Sequence, residues 1–306
     1  MKLYLESLGC ARNQVDSEIM TGRLKKAGWT ITLDPEEAET IVVNTCSFIE
    51  DAAQESIDVI LELAEYKKEG NCKRLVVTGC LPERYREEIL KSLPEVDVLL
   101  GTGAFDQIAN AAREPMYSHL CVLPDPDLTA IQAENDPRDL TVPHLAYLKI
   151  AEGCSKSCTY CIIPKLRGKQ KSRPLEDIVA EATQLIADGV NELVLVAQDT
   201  TAYGNDLPAR TNLSRLMERL ANIPIDDLGR TTQPWFRVLY GHPESIENSF
   251  IEALAAHSHL CSYFDVPVQH VSPGVLKQMG RHYTKDDLHR LFDRVRDRIP
   301  DVPLPS

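Results

Sequence analysis

The chain has 306 residues, 43% hydrophobic and 26% charged, with a formal net charge of -13, as expected for a globular protein of about two domains. With no apolar run near the roughly 18 residues of a membrane span and no signal peptide, we expect a cytoplasmic protein that does not contact membranes. The acidic balance disfavours a nucleic acid as main partner and favours a basic protein, unless it only serves solubility.

Residues 1–113 alternate strand patterns with helical patterns. Strands are predicted at 2–7, 40–44, 74–78 and 96–100, and helices at 15–27, 52–68, 82–93 and 105–113. Strands that alternate with helices predict parallel βαβ units. The expected fold class is therefore α/β, beginning with a Rossmann-like parallel-sheet domain.

Residues 114–143 are rich in turn formers and acidic residues, which predicts a linker. The alternation resumes over 144–306, with strands at 145–150, 192–197, 235–240 and 263–266. Helices are predicted at 174–188, 213–222 and 243–257, and a last one is capped by Thr284 with Asp287 three residues on. Four βα units resemble part of a β/α barrel, so we expect a partial barrel that lacks its later strands.

Cys154, Cys158 and Cys161 form a C-x3-C-x2-C run directly after the first of these later strands. Three thiols on one loop are typical of a metal site rather than of packing. An iron–sulfur cubane normally takes one Cys thiolate per iron, so three cysteines would leave one iron open to a small molecule. Zinc is the alternative, although it prefers four protein ligands in a structural site.

Cys10, Cys46 and Cys80 follow three of the predicted strands of the first domain. Parallel strands present their carboxyl ends at one edge of a sheet, so these thiols are expected to meet in a second three-thiolate site. The alternative is that each is a small buried apolar side chain. Cys72, Cys121 and Cys261 show no comparable pattern and are expected to be ordinary thiols.

The cysteine loop, with aromatic Tyr160 before its last cysteine, resembles the radical S-adenosylmethionine (SAM) superfamily. The segments Ser7-Leu-Gly-Cys-Ala-Arg-Asn13, Asn44-Thr-Cys46 and Thr78-Gly-Cys80 resemble its methylthiotransferases. Ile150-Ala-Glu-Gly-Cys154, Ala197-Gln-Asp-Thr-Thr201 and Val266-Pro-Val-Gln-His270 are similar to the branch that modifies a ribosomal protein (RimO-type) rather than transfer RNA (MiaB-type). Members of the family continue into further barrel strands and a small C-terminal β domain, so the chain is expected to be incomplete.

The resemblance implies an enzyme with two 4Fe-4S clusters and SAM as cofactors. The cluster on Cys154, Cys158 and Cys161 would bind SAM and cleave it to a radical that takes hydrogen from the β carbon of an aspartate in a small-subunit ribosomal protein. The cluster on Cys10, Cys46 and Cys80 would present the methylthio group that the carbon radical captures. The implied partners are that ribosomal protein, free or on the ribosome, an external electron donor and a sulfur source.

Four further residues are predicted to contact SAM, namely Tyr160, Gln198, Arg237 and Gln269. The last three lie on or near the strand ends where a barrel builds its site, although a polar residue in a loop needs no such role. A basic run, from Lys165 to Arg173, is either an anion-binding surface or a solvated face. Two other functions stay open, a transfer-RNA methylthiotransferase and an inactive remnant.

Overall fold

The computed structural model describes residues 1–113, 120–129, 131, 136–208 and 211–303. It divides into two compact units, Met1–Thr141 with Lys165–Gly168, and Val142–Pro164 with Lys169–Ser306. The main division falls inside the range predicted as a linker. After the loop that carries Cys154, Cys158 and Cys161, the short segment Lys165–Gly168 belongs to the first unit again. The sequence patterns did not predict this return.

The first unit contains a parallel sheet, in which the described residues form six strands in the order β2-β1-β3-β4-β5-β6. The strands are β1 Lys2–Ser7, β2 Thr30–Ile31, β3 Thr40–Thr45, β4 Arg74–Gly79, β5 Val98–Leu100 and β6 Leu120–Val122. This confirms the predicted Rossmann-like sheet. The short strands β2 and β6 were missed, and β6 lies where only linker was expected, because two or three residues are too few to show a period.

Helices follow the strands of this unit. They are α1 Ala11–Lys26, α2 Glu50–Ala64, α3 Tyr66–Glu69, α4 Cys80–Tyr85, α5 Glu88–Ser92 and α6 Ile108–Arg113. The helix predicted at 82–93 is wrong as a single element, since Arg86 has a φ of 52° between α4 and α5. Its guanidinium donates to Glu83 at 2.8 Å and to the Leu123 carbonyl at 3.0 Å, which holds the break in place.

The core of the first unit lies between the sheet and its helices. Strand β3 is buried at every position, as expected for a central strand of a parallel sheet covered on both faces. Ile41, Val43, Leu75 and Val77 pack there with Ile60 of α2. Burial of each such side chain stabilises the fold by about 1.5–3 kcal/mol, and the pairing of β3 with β4 aligns their carboxyl ends.

The second unit begins with a parallel sheet ordered β11-β10-β7 and a small antiparallel pair, β8-β9. Its strands are β7 Leu145–Lys149, β8 Ala151–Glu152, β9 Lys171–Ser172, β10 Glu192–Val196 and β11 Trp235–Val238. Helix α7 Ile163–Arg167 crosses into the first unit, and the others are α8 Leu175–Ala187, α9 Leu213–Ala221, α10 Asn248–Ala256, α11 Pro273–Gln278 and α12 Lys285–Arg298. The predicted cap of α12 is confirmed, because Thr284 and Asp287 form a reciprocal capping box.

The fourth strand predicted at 263–266 is wrong. The chain instead pairs with β11 slightly earlier, through a parallel bridge between Phe236 and Leu260. The Asp265 carbonyl and side chain then bond to the backbone of Gly241 and Tyr240 at 2.8 and 2.9 Å. Pro267 has no N–H to donate to a strand ladder. Residues 263–266, which suggested a strand, therefore lie beyond the point at which the chain pairs with β11.

The lengths of the helices show whether any of them could span a membrane. The helices among the described residues are too short or too polar to cross a bilayer, and α1, at 16 residues, carries charges along its length.

Candidate iron–sulfur sites

The first three predicted ligands lie at the carboxyl ends of adjacent strands. Cys46 and Cys80 directly follow β3 and β4, which pair in register up to Thr45 and Gly79. Cys10 follows β1 and immediately precedes α1. All three are free thiols, and Cys80 lies near enough to the other two for their charges to act on it. The structure thus brings together three residues that are far apart in the sequence.

Asn13 of α1 holds two of the three ligand loops. Its amide donates to the Leu8 carbonyl at 2.9 Å and to the Thr45 carbonyl at 2.8 Å. Asn44 in turn donates to the Asn13 carbonyl at 2.9 Å. A buried carbonyl that loses its donor costs about 1–3 kcal/mol, so this asparagine fixes the chain before Cys10 against the chain before Cys46.

Gly9 allows the loops of Cys10 and Cys46 to approach closely. Its φ is +93°, and a Cβ at this position would lie 2.7 Å from Cys46 Cβ and 3.1 Å from Cys46 Sγ. Any side chain would therefore meet both backbone strain and a clash. The close approach brings two ligand loops against each other at the strand ends.

Burial and nearby cations shift the pKa values of these thiols in opposite directions. Burial raises the pKa of Cys80 to about 11, although Arg167 opposes the rise. Burial also acts to raise the pKa of Cys10, but Arg12, Arg167 and backbone N–H groups of Asn13 and Arg12 outweigh it and leave that pKa below its usual value. The guanidinium groups of Arg12 and Arg167 therefore favour the thiolate form of cysteines at this edge of the sheet.

The donor set fits an iron–sulfur cluster. Three unpaired thiols at one sheet edge are soft ligands of the kind that such clusters take. Among the described residues, no three His, Cys, Asp or Glu side chains converge as a single metal ion would require. A cubane gives each thiolate its own iron, so its ligands surround the cluster instead of meeting at one point.

The second set of cysteines lies on the loop that follows β8. The Lys156 N–H donates to Cys154 Sγ at 3.5 Å, and the Cys161 N–H donates to the Cys158 carbonyl at 3.0 Å. Burial first, and then Asp199 and the two neighbouring cysteines, raise the pKa of Cys154. Cys154 therefore lies near enough to Cys158 and Cys161 for their charges to act on it, as expected for ligands of one cluster.

The C-terminal end of α11 braces this loop. Thr159 donates from its N–H to the Met279 carbonyl at 3.2 Å and from its hydroxyl to the Gln278 carbonyl at 2.8 Å. Gly280, with a φ of +70°, lies so close that a Cβ would be 2.8 Å from the Ser157 carbonyl. The Arg281 guanidinium bonds to the Tyr160 hydroxyl at 2.6 Å and covers its ring.

A polar network surrounds the loop. Lys156 lies 3.9 Å from Asp199 and 3.6 Å from Glu244, and Arg281 contacts the buried His242. Burial, followed by the charges of Lys156 and Arg281, lowers the pKa of His242 to about 4. The sequence patterns missed Lys156 and Arg281, although the position of Lys156 between two ligand cysteines was a usable signal.

The other predicted SAM contacts are placed differently from one another. Gln198 lies beyond the end of β10, where its amide N donates to Glu152 at 2.8 Å and its amide O is buried with no hydrogen-bond partner among the described residues. Tyr160 is half exposed and Gln269 is exposed on its loop. Arg237 instead bonds to Glu192, the first residue of β10, at 2.7 Å, which is the end of the sheet away from the cysteine loop.

The basic run is not one exposed face. Arg167 and Arg173 are 3% and 4% exposed, and Arg173 pairs with Glu181 and donates to the Lys149 carbonyl. Neither an anion-binding surface nor a solvated face describes these two arginines. The sequence could not show this, because alternate basic residues give no sign of which way each one points.

Two family profiles match the chain. Residues 2–101 match Uncharacterized protein family UPF0004, and residues 148–304 match the Radical SAM superfamily. Curated relatives named Ribosomal protein uS12 methylthiotransferase RimO align with nearly all of the chain. The relative from Desulfosudis oleivorans is 53% identical over 99% of this chain and 68% of its own length, and that from Clostridioides difficile is 48% identical over 99% and 67%.

A third relative of that name, from Geobacter sulfurreducens, is 46% identical over 99% of this chain and 66% of its own length. The chain thus spans about two thirds of the length of these relatives. Among solved structures, it resembles the radical SAM methyltransferase TsrM from Kitasatospora setae with a TM-score of 0.65, at 15% identity, over 97% of this chain and 65% of that one. At this identity the likeness concerns the fold, which agrees with the predicted radical SAM barrel.

Proposed function

The chain belongs to the RimO-type family of radical SAM methylthiotransferases, and we propose that it adds a methylthio group to the β carbon of an aspartate in ribosomal protein uS12. One observation carries the proposal. Two separate sets of three free cysteines stand on two units of the same chain. One set lies at the carboxyl ends of three parallel strands, and the other lies on the single loop after β8. A reaction that needs both a radical source and a sulfur carrier requires two such sites.

Family membership supplies the cofactors, which are SAM and iron–sulfur clusters. Cys154, Cys158 and Cys161 would hold one cluster, which when bound supplies the electron that cleaves SAM. Cys10, Cys46 and Cys80 would hold the other, at which sulfur is made ready for transfer. The protein's share of the work is to bind these groups, orient them and exclude water.

Gln198 is the best supported of the proposed SAM contacts. Its amide O is buried and lacks a hydrogen-bond partner among the described residues, which is costly unless a ligand donates to it. Tyr160 and Gln269 are proposed as further contacts. Arg237 is engaged with Glu192 and Tyr263 at the other end of the strands, so its present contacts favour a role in packing.

Lys156 and Arg281 are proposed to keep the second site in shape rather than to react. Lys156 lies between carboxylates of Asp199 and Glu244, and Arg281 rests on Tyr160. His242 remains neutral near pH 7 because its pKa is about 4. It therefore adds no charge next to the two cations.

The partners follow from the proposed reaction. The acidic charge of -13 is suited to a basic ribosomal protein, free or on the ribosome. A reductant and a source of sulfur come from outside the chain. A ribosomal substrate supports the proposed cytoplasmic location.

Mass spectrometry of cells that lack the gene tests the proposal. We expect uS12 to lose the mass of one methylthio group, and plasmid-borne chain to restore it. A loss confined to digested transfer RNA would instead establish the transfer-RNA activity. If both substrates stay unchanged, and the iron-loaded chain forms no 5′-deoxyadenosine from SAM under reducing, anaerobic conditions, the chain is an inactive remnant.

A further inference from the structure

Arg167 lies far from the first three cysteines in sequence, yet it is part of their site. We propose that Arg167 is a positioning residue of that site, which joins its ligand loops and sets the reduction potential of the cluster they hold. The inference rests on the proposed function in one respect, that an iron–sulfur cluster occupies Cys10, Cys46 and Cys80.

The contacts of Arg167 support a role at this edge of the sheet. Its guanidinium lies 3.7 Å from Cys80 Sγ and 3.3 Å from Asp16 Oδ2, and it donates to Asn13 Oδ1. Asn13 is the residue that ties the chain before Cys10 to the chain before Cys46. One arginine therefore connects the third ligand directly to the residue that holds the other two.

The segment that carries Arg167 is firmly placed in the first unit. Leu166 is fully buried, and its carbonyl accepts a bond from Thr102 Oγ1 at 2.8 Å. A Cβ on Gly168 would lie 2.6 Å from the Asp127 side chain and 2.9 Å from the Pro126 backbone. Because both neighbours are packed, Arg167 cannot swing away as an exposed side chain would.

A buried cation beside a thiolate has a specific electrostatic effect. The potential of an iron–sulfur cluster depends on net charge, on hydrogen bonds to sulfur and on solvent exposure, and Arg167 affects the first two. It favours the more negative, reduced state. Asp16 acts in the opposite direction, because its carboxylate balances part of the guanidinium charge.

The test isolates this cluster in the full chain with C154A/C158A/C161A, which removes the ligands of the other one. The midpoint potential is measured by anaerobic titration with electron paramagnetic resonance, alongside iron content, in this parent and with R167Q, R167K or D16N added. We expect R167Q to lower the ratio of reduced to oxidised cluster at least tenfold at a fixed potential, which is a shift of about -59 mV for one electron. R167K, which keeps the charge, should shift less, and D16N should shift to a higher potential.

The outcomes separate the inference from the proposed function. A parent that binds no iron contradicts the proposed function itself. A parent with a cluster whose potential is the same in R167Q and D16N overturns the role of Arg167 alone. Should R167Q fail to fold by circular dichroism, the sign of the D16N shift decides, because an unchanged or lower potential there contradicts the proposed charge balance.

Discussion

The two three-cysteine sites are built in opposite ways. Cys154, Cys158 and Cys161 share one loop, so their spacing is local, and all three remain partly exposed. Cys10, Cys46 and Cys80 come from three separate strand ends and meet only when the sheet has formed, and Cys80 is buried. The site on the single loop needs a brace against the flexibility of that loop. The site at the three strand ends needs a correctly folded domain instead.

Removal of the ligand cysteines should have the largest effect. Replacing Cys154, Cys158 or Cys161 with Ala should abolish 5′-deoxyadenosine formation, since the radical source is lost. Replacing Cys10, Cys46 or Cys80 should spare cleavage of SAM and stop sulfur insertion into uS12. Chromatography of the nucleoside and mass spectrometry of the protein distinguish the two; identical behaviour of both sets would refute the division of labour.

Two glycine variants probe the two sites without replacing a ligand. Gly9→Ala should reduce the cluster occupancy of the Cys10, Cys46 and Cys80 site, because the new Cβ would come within 3 Å of Cys46. Gly280→Ala should reduce the cluster occupancy of the other site, because its Cβ would come within 3 Å of the Ser157 carbonyl. Each also adds strain of about 1–3 kcal/mol from a positive φ. Iron per chain and the rate of SAM cleavage report which site is lost.

Gly229→Ala is the matched control for these variants. Gly229 has a similar φ of +69°, but a Cβ there has nothing within 4 Å. It should lower the free energy of unfolding through strain alone and leave both clusters loaded. Equal loss of iron in all three variants would mean that strain, not the close approach at the ligand loops, controls occupancy.

A pH titration of stability probes the surroundings of the second site. His242 has a pKa of about 4 in the folded chain against 6.5 ordinarily, since it is buried and faces Lys156 and Arg281, with Glu244 partly opposing them. Between pH 4 and pH 6.5 the unfolded chain therefore binds more protons at this histidine than the folded chain does. The free energy of unfolding thus keeps its full value above pH 6.5 and decreases as the pH falls through this range.

The loss from His242 should approach about 1.4 kcal/mol for each pH unit between pH 6.5 and about 4, and end there, as measured by urea unfolding. His242→Asn should flatten that dependence. An equally steep dependence in the variant would show that other groups cause the acid sensitivity.

The smallest expected effect is at the cap of α12. Thr284→Ala removes the side chain that accepts from the Asp287 N–H, which should lower the free energy of unfolding by about 1 kcal/mol. Thermal unfolding measures the loss. Because the cap lies outside both ligand sets, iron content should not change, and any parallel loss of iron would show that cluster loading merely follows overall stability.

The same contrast explains which parts could be predicted from the sequence. The central strands, the α12 cap and all six cysteines carry patterns that are local or repeat with the strands. Arg167 carries no such pattern, because its role depends on a short segment that returns to another unit. The break at Arg86 and the early pairing at Leu260 are likewise set by tertiary hydrogen bonds, which propensity does not contain.

We expect the chain to hold two independent clusters, each with three protein thiolates. Iron and sulfide analysis with Mössbauer spectroscopy on anaerobically reconstituted chain measures the number and type of clusters. We expect about eight irons per chain and about four in either triple cysteine variant, as two cubanes require. Iron that is absent, or that disappears entirely when only one set of cysteines is replaced, would contradict it.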